Sequence, residues 1–275
     1  MAIVRIFLSI SLCLIAHAST STSTSGTSSS SVSNDAEGNL KQGWMAYMQG
    51  TIPGGVQRIT KLRMKWKVGE SAESSMVFYS PWFGLSSNDG LSLIQLLNPW
   101  LGNQWTMFTE FTELDKNHHQ NSDQYAVKPG QIIEGTLEYN AETDSYLVSE
   151  QNIETGQISS QIVPCSDGKQ YRTPYVVYEK TFPCNSYPPD EIVTFFDIYA
   201  ECDGTDCTNE MEWISRINNS NCRMKAKFQD QTTISITWNV DEESQYKNMS
   251  ISDLFHLNFS KGWATARISQ KLASL

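Results

Sequence analysis

Apolar and polar residues alternate with a period of two along much of this chain. Leu62, Met64, Trp66 and Val68 are separated by Arg63, Lys65 and Lys67, the pattern of a strand with one buried and one wet face. Ile133, Gly135, Leu137 and Tyr139 alternate with Glu134, Thr136 and Glu138 in the same way. Further β-rich stretches run over Met76–Leu85, Gln104–Leu114, Asp144–Glu150, Gln157–Val163, Tyr171–Phe182, Ile192–Ala200 and Thr232–Asn239. Turn signals punctuate them at Asn88-Asp89-Gly90, Lys128-Pro129-Gly130, Glu154-Thr155-Gly156, Ser166-Asp167-Gly168 and Asp203-Gly204. Many short strands with regular turns, and no helical pattern between them, predict an all-β fold, a two-sheet antiparallel β-sandwich. Ser252–Phe259 fits a short helix or a strand, and its period does not decide. No internal repeat or Pro-rich hinge interrupts residues 40–275, so a single domain is expected there.

The first residues carry no such pattern. Met1–Ala18 has one cation, Arg5, then an apolar run from Ile6 to Ala16 and the small-x-small exit Ala16-His17-Ala18. These are the parts of a secretory signal peptide, with cleavage expected after Ala18; the apolar run is too short for a spanning helix. Residues 19–39 begin with a run of Ser, Thr and Gly that offers almost nothing apolar to offset the entropy of ordering, and read as a disordered Ser/Thr-rich segment. The chain is therefore expected to be secreted, with an extracellular location.

Secretion changes the reading of the cysteines. Cleavage would leave Cys165, Cys184, Cys202, Cys207 and Cys222, and in an oxidising compartment disulfides are the default. Cys202 and Cys207 can close a small loop around a turn, and Cys184 with Cys222 forms a plausible longer link; an odd count leaves one cysteine free or paired between chains. Sequons at Asn218, Asn248 and Asn258 are expected to carry glycan.

The 275 residues carry 30 Asp and Glu against 20 Lys and Arg, a net charge of −10, which becomes −11 once Arg5 is removed. That balance argues against a nucleic-acid partner, whose phosphates need a basic face. No apolar run after the leader is long enough to enter a membrane. No cofactor or metal is implied: the cysteine and histidine spacings fit no zinc pattern, His118-His119 lies in a polar stretch read as a solvated loop, and Asp203, Asp206 and Glu210 read as a plain acidic turn.

Within the strand pattern a set of motifs resembles one family. Trp82-Phe83-Gly84-Leu85 followed by Leu93-Ile94-Gln95 resembles the Trp-x-Gly-Ile…Leu-Gln segment of the glutamic peptidases, the eqolisins. The stretch from Trp105 to Glu110-Phe111 is similar to their aromatic strand. Val127-Lys128-Pro129-Gly130-Gln131-Ile132-Ile133-Glu134-Gly135 resembles their entry into a long strand, and Tyr146-Leu147-Val148 with Glu154-Thr155-Gly156-Gln157 resembles their Thr-Thr-Gly-Gln hairpin. The resemblance covers roughly residues 60–200 in matching order and implies a concanavalin A-like jelly roll.

In that family a Gln and a Glu face each other on the concave sheet. The carboxylate activates a water and the amide stabilises the oxyanion. The resemblance puts the Gln role on Gln95. The family's strand Ala-Glu-Trp-Ile-Val-Glu-Asp falls on Pro174-Tyr175-Val176-Val177-Tyr178-Glu179-Lys180, so Tyr175 stands where the catalytic Glu belongs and Glu179 matches the second Glu. A phenol holds its proton to about pH 10 and is no base in acid. Leu96-Leu97 also replace the small Thr-Gly that follows the family's Gln.

Three functions compete at this stage. The first is a glutamic-peptidase-like protein that binds an extended peptide or glycan without turnover, with Trp82, Trp105, Glu110 and Tyr175 lining the groove. The second is an active acid endopeptidase using Gln95 and Glu179. The third is an acidic structural component of an extracellular matrix or coat. Oligomeric state is not legible in the sequence.

Overall fold

The computed structural model describes residues 41, 43–71, 78–180, 187–218 and 223–239. The leader, the Ser/Thr-rich segment, Ser252–Phe259, Asn248, Asn258, Cys184 and Cys222 lie outside the described residues. Sixteen strands run β1 (Trp44–Thr51), β2 (Ile59–Lys67), β3 (Tyr79–Ser87), β4 (Ser92–Leu97), β5 (Trp105–Glu113), β6 (His118–Asn121), β7 (Tyr125–Val127), β8 (Ile132–Asn140), β9 (Ser145–Asn152), β10 (Ile158–Pro164), β11 (Tyr171–Lys180), β12 (Ile192–Cys202), β13 (Thr205–Asp206), β14 (Glu212–Ile217), β15 (Lys225–Asp230) and β16 (Thr233–Thr237). They form two antiparallel eight-stranded sheets. The first has the order β14-β1-β11-β3-β4-β5-β6, with β7 on β5; the second has the order β10-β9-β8-β2-β12-β16-β15, with β13 on β12. This is the expected β-sandwich.

The alternating stretches became the strands predicted from them. Leu62, Met64 and Trp66 of β2 are fully buried between the sheets. Lys61 and Lys65 on its outer face pair with Glu138 and Glu134 of β8. Trp66 packs edge-on against Phe83 and tilted against Phe195, and its indole N–H is satisfied by Asn98. The Asp203-Gly204 signal is a two-residue hairpin joining β12 to β13, with φ of 48° and 83°, the left-handed pair a tight hairpin of this kind needs. Cys202 and Cys207 flank it in the expected disulfide. Asp203 and Asp206 accept from the backbone N–H groups of Gln57, Arg58 and Thr208, so this acidic turn is held by its own chain.

Two expectations change. His118 and His119 are not loop residues but form the edge strand β6. Strands β1, β4, β7, β13, β14 and β15 lie outside the β-rich stretches read from the sequence. In β1, Ala46 and Met48 face the inter-sheet core while Trp44 and Tyr47 join a second apolar cluster, so both faces are apolar and the period of two is lost. Among the described residues no helix is long and apolar enough to cross a membrane.

Candidate functional site

The first sheet is buried on both faces at its centre: every residue of β3, β4 and β5 is buried. One face meets the second sheet. The other carries a separate cluster of Trp44, Tyr47, Trp82, Leu93, Leu97, Phe108, Tyr175 and Val177, and this face, called concave after the sheet of the family the sequence resembles, holds the candidate site.

Strand register sets what meets there. Tyr175 of β11 is opposite Gly84 of β3, Gly84 is opposite Gln95 of β4, and Gln95 is opposite Glu110 of β5. Directly opposed residues in antiparallel strands point to the same side. One row therefore runs Tyr175–Gly84–Gln95–Glu110 across the concave face. With strands about 4.8 Å apart, Tyr175 and Gln95 start about 10 Å from each other, and the residue between them carries no side chain. A Cβ on Gly84 would also fall 2.0 Å from the Ile94 carbonyl oxygen, so the close approach of β3 to β4 requires glycine here.

Gln95 has no exposed surface, and neither its amide nitrogen nor its amide oxygen has a hydrogen-bond partner. Glu110 is 1% exposed, and His119 Nε2 lies 3.8 Å from its Oε2. Glu179 sits on the same face but opposite Ser80, four residues along from Tyr175. That displaces it about 13 Å along the strand from the Gln95 row. It accepts a hydrogen bond from the Trp82 indole at 3.1 Å.

Of the expected groove residues, the concave face gathers Trp82, Tyr175, Glu110 and Gln95. Trp105 does not join them. It lies on the opposite side of β5 from Phe108 and Glu110, packed against Tyr79 and Trp100 in the inter-sheet core, and its indole N–H reaches the Glu70 carbonyl. The reason is parity: Trp105 is offset from Glu110 by five positions, an odd number, which turns it to the other face of the strand.

The sequence reading missed Trp44, Tyr47 and Lys41. Trp44 packs edge-on against Trp82 and Tyr175 at 4.9 and 5.0 Å between ring centroids, and Lys41 lies over the rings of Tyr47 and Tyr175. They became visible only once β1 was found beside β11.

Asn218, the described sequon, is exposed at the end of β14. Cys165 is buried and carries no disulfide; burial, then the nearby Asp144 carboxylate, pushes its thiol up to about 11. Among the described residues no cluster of His, Cys, Asp or Glu is arranged to hold a metal.

Chemically, the row offers an unsatisfied carboxamide, a carboxylate one strand to one side and a phenol two strands to the other, beside an aromatic wall. A carboxamide presents an NH2 donor group beside a carbonyl acceptor, which can meet the C=O and N–H of a peptide bond.

No protein-family model matches this chain, and no curated protein matches it by sequence. Solved structures do. Scytalidoglutamic peptidase with a peptide-based transition-state analog is similar at a TM-score of 0.54 and 16% identity, over 71% of this chain and 98% of that one. SCP-B, a member of the Eqolisin family in complex with the tripeptide Ala-Ile-His, is similar at a TM-score of 0.51 and 15% identity, over the same shares. The glutamic-peptidase-like fold is thereby established.

Proposed function

We propose that this is a secreted protein whose concave sheet binds an extended polymer, a peptide in preference to a glycan, without cleaving it. The observation that carries the reading is the row Tyr175–Gly84–Gln95. Gln95 supplies the amide that a peptide backbone would satisfy, while the position across the glycine holds a phenol instead of a carboxylate. The solved relatives in fold hold a peptide-based analog and a tripeptide, which supports a peptide as the class of ligand. Trp44, Tyr47, Trp82 and Tyr175 would hold side chains of that peptide against flat apolar rings.

Turnover through Glu179 is disfavoured by its offset along β11. Glu110 is the carboxylate nearest to Gln95 by register, and it belongs to a second reading, an acid endopeptidase with Glu110 as base. Gln95 has no exposed surface, so engagement requires the atoms over it to shift. That movement makes Trp44 and Trp82 reporters of binding through their fluorescence.

The test incubates the protein with a denatured polypeptide from about pH 2 to about pH 7, spanning the carboxylate and imidazole ranges. Binding is followed by tryptophan fluorescence and cleavage by new amino termini. The expected result is saturable binding without cleavage, weakened about tenfold in Gln95→Ala, as the loss of a bidentate amide contact predicts. Acid cleavage abolished by Glu110→Gln would establish the second reading, and neither binding nor cleavage by folded protein would overturn both.

A further inference from the structure

The edges of a β-sheet are open rows of backbone donors and acceptors, and proteins guard them with charge, proline, bulges or brevity. Three of the four edges here are guarded. Strand β14 carries Glu212 and Arg216; β15 carries Lys225, Lys227 and Asp230 and has an irregular register near its end; β6 is four residues long. Strand β10 is guarded only at its last residue, Pro164; from Ile158 to Val163 it has no such protection. It pairs with β9 over seven residues without a register shift, and no charged side chain occurs from Thr155 to Ser166. Its outer face is apolar and open: Ile158 is 52% exposed and Ile162 66%, beside Leu147 of β9 at 47%.

The backbone of this edge can be read from its flanks. The Asn152 N–H donates to the Gln157 carbonyl and the Cys165 N–H to the Asp144 carbonyl, so residues 157 and 165 mark hydrogen-bonded positions against β9. By the alternation of antiparallel ladders, Ser159, Gln161 and Val163 also face β9, and Ile158, Ser160 and Ile162 turn their N–H and C=O groups outward, while Pro164, the fourth on that side, offers only its carbonyl. The inward side chains are already engaged: Ser159 hydrogen-bonds Ser122 and the Asp123 carbonyl, and Gln161 donates to Thr109.

We propose that β10 is a self-association edge, pairing antiparallel with β10 of a second copy about a two-fold axis at Ser160. That axis places Ile158 opposite Ile162 of the copy and Ser160 opposite Ser160. Ile158, Ser160 and Ile162 then become hydrogen-bonded pairs, the pairing ending short of Pro164, and the exposed isoleucines cover each other. The pattern Ile-x-Ser-x-Ile reads the same from either end, so a two-fold pairing sets isoleucine against isoleucine and serine against serine. Absence of charge points to the same occupant. In a two-fold interface each residue meets itself or its mirror image, so a charged edge of an acidic chain would meet like charge, and this edge has none. The result would be one continuous sheet across both copies, with the concave site of each left on the other sheet.

The experiment is the mass of the full chain in solution, by light scattering and sedimentation at micromolar concentration, compared with Ser160→Pro and Ile162→Lys. Ser160→Pro removes an N–H that points out of the protein, so it leaves the β9 ladder intact. The parent is expected at twice the monomer mass and both variants at the monomer mass, with unchanged far-ultraviolet dichroism. If Ser160→Pro does not fold, Ile162→Lys still reads the interface. Ser160→Cys, with the parent as control for the native cysteines, is expected to be cross-linked by a short thiol-to-thiol reagent, because hydrogen-bonded antiparallel partners lie about 5.5 Å apart. A monomeric parent overturns the proposal. A dimer that survives both variants, or that gains no cross-link at residue 160, overturns it equally. Peptide binding at the concave face is read separately and stands or falls by itself.

Discussion

Tyr175 and Gln95 stand on one row of the concave sheet with only Gly84 between them. The phenol is packed by Trp44 and Tyr47, and the amide beyond the glycine has no hydrogen-bond partner. An amide left unsatisfied in a buried site costs free energy, so Gln95 at this position works against the stability of the fold.

If residue 175 is the position that decides turnover, a carboxylate there should restore it. Tyr175→Glu is expected to cleave a denatured polypeptide in acid where the parent does not. Adding Gln95→Ala should lower that rate by about 10²–10³, the usual cost of losing an oxyanion donor. Release of amino termini over time measures both. A folded Tyr175→Glu protein without activity would show that more than this side chain separates binding from catalysis.

Gly84 is required by the approach of two strands rather than by its own dihedral angles. Gly84→Ala drives a methyl into the Ile94 carbonyl at 2.0 Å, and that oxygen belongs to backbone that cannot step aside. The expected loss is about 3 kcal/mol or more, at the upper end for overpacking. The shift in denaturant midpoint measures it.

Glu150 of β9 is fully buried, and burial holds its carboxyl well above the ordinary carboxylate range, the Phe108 backbone N–H offsetting only part of that. The folded protein thus keeps this proton after the unfolded chain has lost it. Its effect on stability is most favourable below the ordinary value of about 4.3 and erodes as pH rises above it. Glu150→Gln keeps the shape without the charge, so its thermal midpoint should gain on the parent steadily from acid to neutral pH. Parallel curves would contradict this.

Glu113 has the opposite slope. Burial raises its carboxyl, but hydrogen bonds from Ser166, Lys116 and His118 prevail and hold it below the ordinary range. The stability it adds is present above about pH 4.3 and is lost as pH falls through its folded value. Glu113→Gln should therefore be less stable than the parent near neutrality, with the two curves converging in acid. Thermal midpoints across that range test it.

The sequence by itself determined the strands whose two faces see different surroundings. In β2, Leu62, Met64 and Trp66 face the core while Lys61 and Lys65 face solvent, and a residue's neighbours along the chain record that difference. It also determined the Asp203-Gly204 turn and its flanking disulfide, because such features close over a few residues. It could not place β1, whose Trp44 and Met48 are both buried on opposite sides of the sheet. Nor could it determine that Trp105 belongs to the inter-sheet core and Trp44 to the concave face. Only the tertiary structure decided the row Tyr175–Gly84–Gln95–Glu110. Three of its strands follow one another as hairpins, but β11 enters from far along the chain and lies between β1 and β3. A local period fixes which face a side chain takes; which residue it meets there depends on register between distant strands, which the packing of two whole sheets sets.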